Sequence, residues 1–563
     1  MKVIIVGGVA GGATAAARIR RLNEHAEITV FERSGYISYA NCGLPYYIGD
    51  VITDPEELTL QTPESFFKRF RINMKIHHEV ISIHPERKTV SVKNLENGEI
   101  FEEKYDKLIL SPGAKPTQPR LPGVGMDKLF TLRTVEDTFR IKEYINKNHP
   151  KSAVLAGGGF IGLELAENLR ELGMDVTIVQ RPKQLMNPFD PDMASMIHNE
   201  MRKHGIKLVL GYTVEGFKEK DNGVEVLLKD NPSLQADMVV LAIGVTPDTA
   251  LAKEAGLELG IKGSIVVNDR METSVPDIYA AGDAVQVKHY VTGDDALISL
   301  AGPANKQGRI IADNICGGDS HYLGSQGSSV IKVFDMTAAT TGINETNAKK
   351  SGLEVDTVIL SPMSHAGYYP GGKVMTMKVV FEKETYRLLG AQIIGYEGVD
   401  KRIDVLATAI HAGLKATQLK DLDLAYAPPY SSAKDPVNMA GFMIDNIAKG
   451  TLKQWHLEDM DKISKDKSVV LLDVRTVGEF NRGHMDGFRN IPVDELRERI
   501  NEIEKGKPVY LICQSGLRSY IASRILEGNG YETYNFSGGF RFYDAVVNDR
   551  ALIERAYACG MDY

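Results

Sequence analysis

Tryptophan occurs once in these 563 residues, at Trp455, and cysteine four times, at Cys42, Cys316, Cys513 and Cys559. Cysteines so few and so far apart cannot staple a secreted fold, so free thiols and a cytoplasmic setting are expected. No apolar run approaches the ~20 residues a membrane helix needs, and Met1 leads directly into a strand instead of a signal peptide; no contact with a membrane is expected. A basic excess is also missing. The formal net charge of -8 argues against a general polyanion binder, and nucleic acid is not an expected partner, although a local basic pocket for a phosphorylated small molecule remains open. No metal site or low-complexity segment is read. Glycine, in contrast, is plentiful at 53 residues, and several fall in loops of nucleotide-binding type. Since single cores stop growing at roughly 250 to 300 residues, three or four domains are expected.

Val3 to Val6 reads as a buried strand, Gly7-Gly8-Val9-Ala10-Gly11-Gly12 as a tight turn, Ala13 to Leu22 as a helix, and Ile28 to Phe31 as a second strand ending at Glu32. This is a βαβ dinucleotide unit, with pyrophosphate at the helix N-terminus and a carboxylate for the ribose. Val9 departs from the fingerprint, which has glycine there. Ala153 to Ala156, Gly157-Gly158-Gly159-Phe160-Ile161-Gly162, a helix to Leu172 and the strand Val176 to Val179 form a second unit with the complete GxGxxG pattern. Where an acid would hold the ribose of NAD stand Gln180 and Arg181, which removes repulsion of a 2′-phosphate, so NADPH should be tolerated; Arg181 could equally be a solvated loop charge. The apolar run Met238 to Ile243 ends at Gly244, and a later strand ends at Gly282-Asp283.

From Gly282-Asp283 onward the sequence resembles the two-dinucleotide flavoprotein disulfide reductases. The resemblance implies FAD at the first unit, with Asp283 beside the flavin, and a nicotinamide at the second; taken alone, Asp283 could be a turn residue. It extends the cofactor set to Gly7, Gly8, Gly11, Gly12, Glu32, Arg33, Gly113, Gly157, Gly159, Gly162, Gln180, Gly282 and Asp283. The implied fold class is α/β: a FAD-binding domain (1–112 and 245–325), a NAD(P)-binding domain (113–244), an α+β dimerisation domain (326–447), a linker (448–462) and a C-terminal α/β domain (463–563). Within 326–447, strands Val374 to Phe381 and Leu388 to Ile394 and the helix Asp404 to His411 are expected. The stretch from Asn446 to Asp461, with Trp455, reads as a connector.

Cys42 follows the first nucleotide unit and precedes Gly43 and Pro45, where a loop enters a helix; a helix N-terminus lowers a thiol pKa and favours the thiolate. A partner cysteine, which a dithiol reductase would carry a few residues on, is missing, and Tyr47 stands at the fifth position. The oxidised state is then a mixed disulfide with a substrate thiol or a sulfenic acid. Asn41-Cys42-Gly43-Leu44-Pro45-Tyr46-Tyr47 closely resembles the coenzyme A disulfide reductases. The related NADH peroxidases and oxidases use a sulfenate and carry a catalytic His in the first glycine loop, where this chain has Ala10, which favours the mixed disulfide. The resemblance implies CoA contacts at Thr14, Arg18, Arg21, Ser38, Asn41, Asn305 and Lys434. Arg18 and Arg21, three apart, share a helix face suited to phosphates or simply to solvent, and Arg18 replaces a Gln of some relatives. His365 to Pro370 and Ala425 to Pro436 also look like this family, in which two tyrosines reach across a homodimer toward the cysteine; those roles fall to Tyr368 and Tyr426, as donors to the departing sulfur. For Tyr369 and Tyr430 interface packing is the expected role.

Cys513-Gln514-Ser515-Gly516-Leu517-Arg518-Ser519 lies between the strand Val509 to Ile512 and a helix from Ser519 to Glu527, where backbone N–H groups, the helix dipole and Arg518 can favour an anionic sulfur. With Leu472-Asp473-Val474-Arg475, Glu479-Phe480, Gly483-His484 and Ile491-Pro492, this unit resembles a rhodanese domain; a phosphatase of related fold would have a longer loop. Cys316 and Cys559 are taken as structural. The whole chain thus resembles a coenzyme A disulfide reductase fused to a rhodanese. An NAD(P)H-dependent reductase of CoA persulfide, polysulfide and CoA disulfide is expected, with Cys42 as redox centre and Cys513 as sulfane-sulfur carrier. The alternatives are an NADH oxidase or peroxidase using a Cys42 sulfenate, and a redox-sensing sulfur-binding flavoprotein.

Overall fold

The computed structural model describes residues 1–220 and 223–558, so Cys559 lies outside the described residues. The chain divides into two units, 1–182 with 205–327, and 183–204 with 328–563.

The first unit holds two five-stranded parallel sheets. In one the order is Ile278–Ala280, Lys107–Leu110, Lys2–Val6, Glu27–Phe31 and Asn73–Lys75; in the other it is Leu129–Thr131, Met238–Leu241, Ser152–Ala156, Asp175–Gln180 and Lys207–Leu210. The central strands are continuous apolar runs, with Val3, Ile4 and Ile5 fully buried, as a parallel sheet covered on both faces requires. Each glycine loop leads from the middle strand of its sheet into a helix, Ala10–Leu22 in the first and Phe160–Glu171 in the second. The first helix therefore begins three residues earlier than its sequence suggests.

Alanines 13, 15, 16 and 17 are buried, which lets the helix Ala10–Leu22 lie close to Ala301–Ile315. The approach needs Gly308, since a Cβ there would fall 2.4 Å from the carbonyl oxygen of Gly11. This contact brings Asn305 beside Thr14.

The second unit has an antiparallel sheet ordered Ser329–Val333, Met336–Gly342, Leu388–Gly395, Met375–Glu382 and Val355–Leu360, with helices Val399–His411 and Pro436–Ala448. Its other sheet is parallel: Gln454–Trp455, Thr533–Phe536, Val509–Ile512, Val470–Asp473 and Arg489–Asn490. Trp455, expected in a connector, is instead a buried residue of the edge strand and packs on Phe536, with ring centroids 4.5 Å apart. Burying that indole binds the preceding chain into the C-terminal sheet. In the same unit the C-terminal helix Gly539–Ala558 packs on Pro191–Lys203, where Asp549 accepts from His198 Nδ1 at 2.8 Å and pairs with Arg202 at 2.5 Å.

Candidate active sites

The first site is a cleft of about 890 Å³ in the first unit, lined by both the glycine-loop end and the cysteine loop. The strand ending at Val6 must turn sharply into the helix. Gly7 does this at φ +97°, and a Cβ there would lie 2.1 Å from the Ser111 carbonyl oxygen. Glu32, at the end of the next strand, is buried, and its carboxylate accepts the N–H groups of Gly8 and Ser34, both at 2.9 Å. The second loop repeats the device with an amide, Gln180 Oε1 accepting the Gly158 N–H at 3.0 Å. Gly157 and Gly162 are buried and Gly159 caps the helix. A side-chain-free cradle with a hydrogen-bond acceptor beyond it, a carboxylate in the first loop and an amide in the second, has the chemistry to take a dinucleotide.

Gly11, Arg33, Gly113, Gly282 and Asp283 all line the same cleft, and Gly12 is buried beneath it. Arg33 pairs with Asp248 at 2.9 Å. Asp283 accepts from Arg133 at 2.6 Å, a partner 150 residues away in sequence that no local motif marks. Arg133 is therefore a site residue that the sequence reading missed.

Cys42 opens onto this cleft from a single 3-10 turn, Asn41–Gly43, which runs into the short helix Leu44–Ile48 with Pro45 in its first turn. The thiol pKa departs from expectation. It is raised, first because the cleft walls desolvate the sulfur and then because Glu164 and Asp283 contribute negative potential, against which Arg133 acts. A five-residue helix is too weak a dipole to reverse that. Glu164, on the second glycine-loop helix, is itself pushed up to about 7 by desolvation and by Glu167, and it accepts from the Tyr46 hydroxyl at 3.4 Å. This pair also went unread in the sequence, although Tyr46 lies four residues past Cys42.

Of the residues assigned to CoA, Thr14, Ser38, Asn41 and Asn305 line the cleft, and Thr14 Oγ1 donates to Asn305 at 2.6 Å. Ser38 holds φ +45°, a left-handed conformation that is costly for serine, with its N–H on the Gly8 carbonyl. Arg18 is drawn into an ion pair with Asp313 at 2.7 Å, whereas Arg21 is exposed. Lys434 belongs to the second unit and is exposed there.

Also in the second unit, the hydroxyls of Tyr368 and Tyr426 are 2.7 Å apart, and the bond between them raises the Tyr368 pKa. Tyr368 and Tyr430 are 76% and 72% exposed, with Tyr369 and Tyr426 exposed nearby in sequence. Four exposed tyrosines on two loops are an aromatic surface of the kind interfaces use.

The remaining site is the loop after the strand Val509–Ile512. Cys513 is buried, and its sulfur accepts from the Gly516 N–H at 3.1 Å and from Ser519 Oγ at 3.2 Å. Gly516, at φ +99°, starts the helix Leu517–Glu527 and turns its N–H inward. Arg518, expected to add positive potential at this sulfur, is held in an ion pair. Both its Nη atoms donate to Glu479, each at 2.7 Å, and Glu479 is held down to about 2, chiefly by those bonds. Arg475 forms a comparable buried pair with Asp473 and stacks 3.8 Å over Phe540. The motif residues 473, 475 and 479 thus converge around the cysteine loop. Cys316, half-buried, has no such setting.

Residues 1–308 match the family described as pyridine nucleotide-disulphide oxidoreductase, residues 328–436 its dimerisation domain, and residues 456–545 the rhodanese-like domain. The chain is similar to the coenzyme A disulfide reductase of Staphylococcus aureus (strain JH9), with 39% identity over 443 residues, covering 78% of this chain and 99% of that protein. It is similar to the crystal structure of reduced Bacillus anthracis CoADR-RHD, with 48% identity, 98% of each chain covered and a TM-score of 0.95. The NAD-dependent persulfide reductase from A. fulgidus is 38% identical, with 96% of this chain and 100% of that one covered and a TM-score of 0.90.

Proposed function

Since the chain belongs to the pyridine nucleotide-disulphide oxidoreductase family, we propose that it is an FAD-dependent NAD(P)H oxidoreductase that reduces CoA persulfide, polysulfide and CoA disulfide through Cys42. The observation that carries this reading is the shared cleft: the glycine cradle, Glu32 and Asp283 that fit a flavin dinucleotide line the same cavity as the lone thiol. The first glycine loop with Glu32, Arg33, Gly113 and Asp283 would hold FAD, and the second loop with Gln180 the nicotinamide. FAD, when bound, supplies the two-electron relay between NAD(P)H and oxidised Cys42.

The chain's own residues do the rest. The Cys42 thiolate attacks one sulfur of the substrate, whose S–S bond breaks; a thiol leaves from CoA disulfide, or sulfide from CoA persulfide, and Cys42 retains CoA as a mixed disulfide. Two electrons and two protons, from NAD(P)H and solvent, then release CoA thiol and restore Cys42. Thr14, Ser38, Asn41 and Asn305 position the CoA end, with Arg18, Arg21 and Lys434 as candidates for its phosphates. Tyr368 and Tyr426 hydrogen-bond the departing sulfur, in a cytoplasmic homodimer built through the 326–447 domain. Cys513 takes up sulfane sulfur as a persulfide, which gives the fused 463–563 domain a purpose that plain disulfide reduction lacks.

The test is a pair of variants. Cys42→Ser should abolish reductase turnover with every substrate. Cys513→Ser should spare CoA disulfide reduction but impair use of polysulfide. Equal loss in both variants with CoA disulfide would refute the division of labour.

A further inference from the structure

We propose that Glu479 determines donor specificity at the Cys513 site: by holding Arg518 in a two-point ion pair, it withholds the cation a dianionic donor needs and favours monoanionic sulfane donors. This rests on the reading of Cys513 as a sulfane-sulfur carrier.

Arg475 and Arg518, which flank this loop in the motifs, each have their own carboxylate, whereas Arg541 is exposed and meets the loop through its backbone N–H, on the Gln514 carbonyl at 3.2 Å. Arg475 is committed to Asp473 through contacts of 2.9 and 2.6 Å, with both residues buried. Arg518 is committed to Glu479. Glu479 is itself anchored, since Oε2 also accepts the Thr476 N–H at 3.0 Å and hydroxyl at 2.8 Å in a capping box that starts the helix Val477–Arg482. The latch is thus built on a rigid element. At the sulfur itself the loop offers an anion the Gly516 N–H, the Ser519 hydroxyl and the start of an eleven-residue helix, an arrangement suited to the single charge of a persulfide.

Thiosulfate carries two charges. It would pass its outer sulfur to the Cys513 thiolate, the S–S bond breaking and sulfite leaving with the bonding pair, so that a persulfide anion and a sulfite dianion replace a thiolate and a thiosulfate dianion. An alkyl thiosulfonate undergoes the same transfer, leaving as a sulfinate, but carries one charge. An organic persulfide is likewise a monoanion at its sulfur end.

The experiment measures Cys513-dependent sulfur transfer to cyanide by the full-length protein, with thiosulfate and methanethiosulfonate as donors and Cys513→Ser as background. Wild type should favour methanethiosulfonate in kcat/KM. Glu479→Gln, which keeps an acceptor for the capping box, should raise the thiosulfate to methanethiosulfonate ratio about tenfold, mostly through KM for thiosulfate. Glu479→Asp should stay near wild type, and Arg518→Met added to Glu479→Gln should erase the gain. A wild-type preference for thiosulfate, or a Glu479→Gln ratio within twofold of wild type, would overturn the proposal while leaving the carrier reading intact. Cys513-independent transfer with both donors would instead remove the carrier reading and the proposal with it.

Discussion

Arg402 donates from Nε and Nη2 to one carboxylate oxygen of Asp435, at 3.2 and 3.0 Å, with both side chains buried. Nη2 also donates to the Ser364 carbonyl and Ser431 Oγ, both at 3.0 Å. One guanidinium therefore ties together the loop that carries Tyr368 and the loop that carries Tyr426 and Lys434. Removing it would leave the buried Asp435 carboxylate with the Ser431 hydroxyl, the Val437 N–H and, at 3.9 Å, Lys401; losing one partner of a buried ion pair costs about 3–5 kcal/mol. Arg402→Met should lower stability on that scale in denaturant unfolding, and it should weaken CoA disulfide turnover even at temperatures where the protein remains folded. Unfolding indistinguishable from wild type would show that the pair is dispensable.

The charge around Cys42 gives a signed prediction. Glu164 and Asp283 raise the thiol pKa and Arg133 lowers it. Glu164→Gln should therefore move the pH profile for iodoacetamide alkylation of the reduced thiol down, because the largest nearby negative charge is lost. Arg133→Met should move it up. Because Glu164 is pushed up only to about 7, below the raised thiol, it is ionised while Cys42 titrates, and Glu164→Gln removes that full charge.

The bonded hydroxyls of Tyr368 and Tyr426 should act as one unit. Tyr368→Phe and Tyr426→Phe should each lower kcat with CoA disulfide by roughly 10- to 100-fold, the range for a positioned proton donor. The double variant should fall little further, because either change already breaks the 2.7 Å contact. Multiplicative losses would show that the two hydroxyls act separately.

Gln180 stands in the second glycine unit where Glu32 stands in the first, and both accept a glycine-loop N–H. Gln180→Glu keeps that acceptor and adds a charge where the proposed reading would put the ribose of a nicotinamide dinucleotide. The ratio of kcat/KM for NADPH to that for NADH should fall about tenfold, through repulsion of the 2′-phosphate. An unchanged ratio would place nicotinamide selection elsewhere.

The sequence made the two sheets of the first unit legible because their signal is local: Val3 to Val6, Ala153 to Ala156 and the glycine runs that follow carry strand, turn and helix within some thirty residues. Cys42 and Cys513 were legible for the same reason, each sitting in a short motif. Contacts that close over long separations left no such trace. Arg133 with Asp283, Tyr46 with Glu164 and Arg518 with Glu479 are ordinary charges and phenols until the fold brings them together. Trp455 misled because a lone indole in a polar stretch looks like a connector, whereas its burial on Phe536 makes it sheet. The Cys42 pKa ran against expectation because the short helix after Pro45 was credited with a dipole that enclosure and neighbouring carboxylates outweigh.

The account is tested most directly by intact-mass and peptide mass spectrometry of the reduced, desalted protein after exposure to CoA disulfide without NAD(P)H. A single CoA adduct per chain should appear, removed by dithiothreitol, located on Cys42, retained in Cys513→Ser and lost in Cys42→Ser. Turnover of CoA disulfide by a protein that never carries CoA on Cys42, or an adduct confined to Cys513, would contradict it.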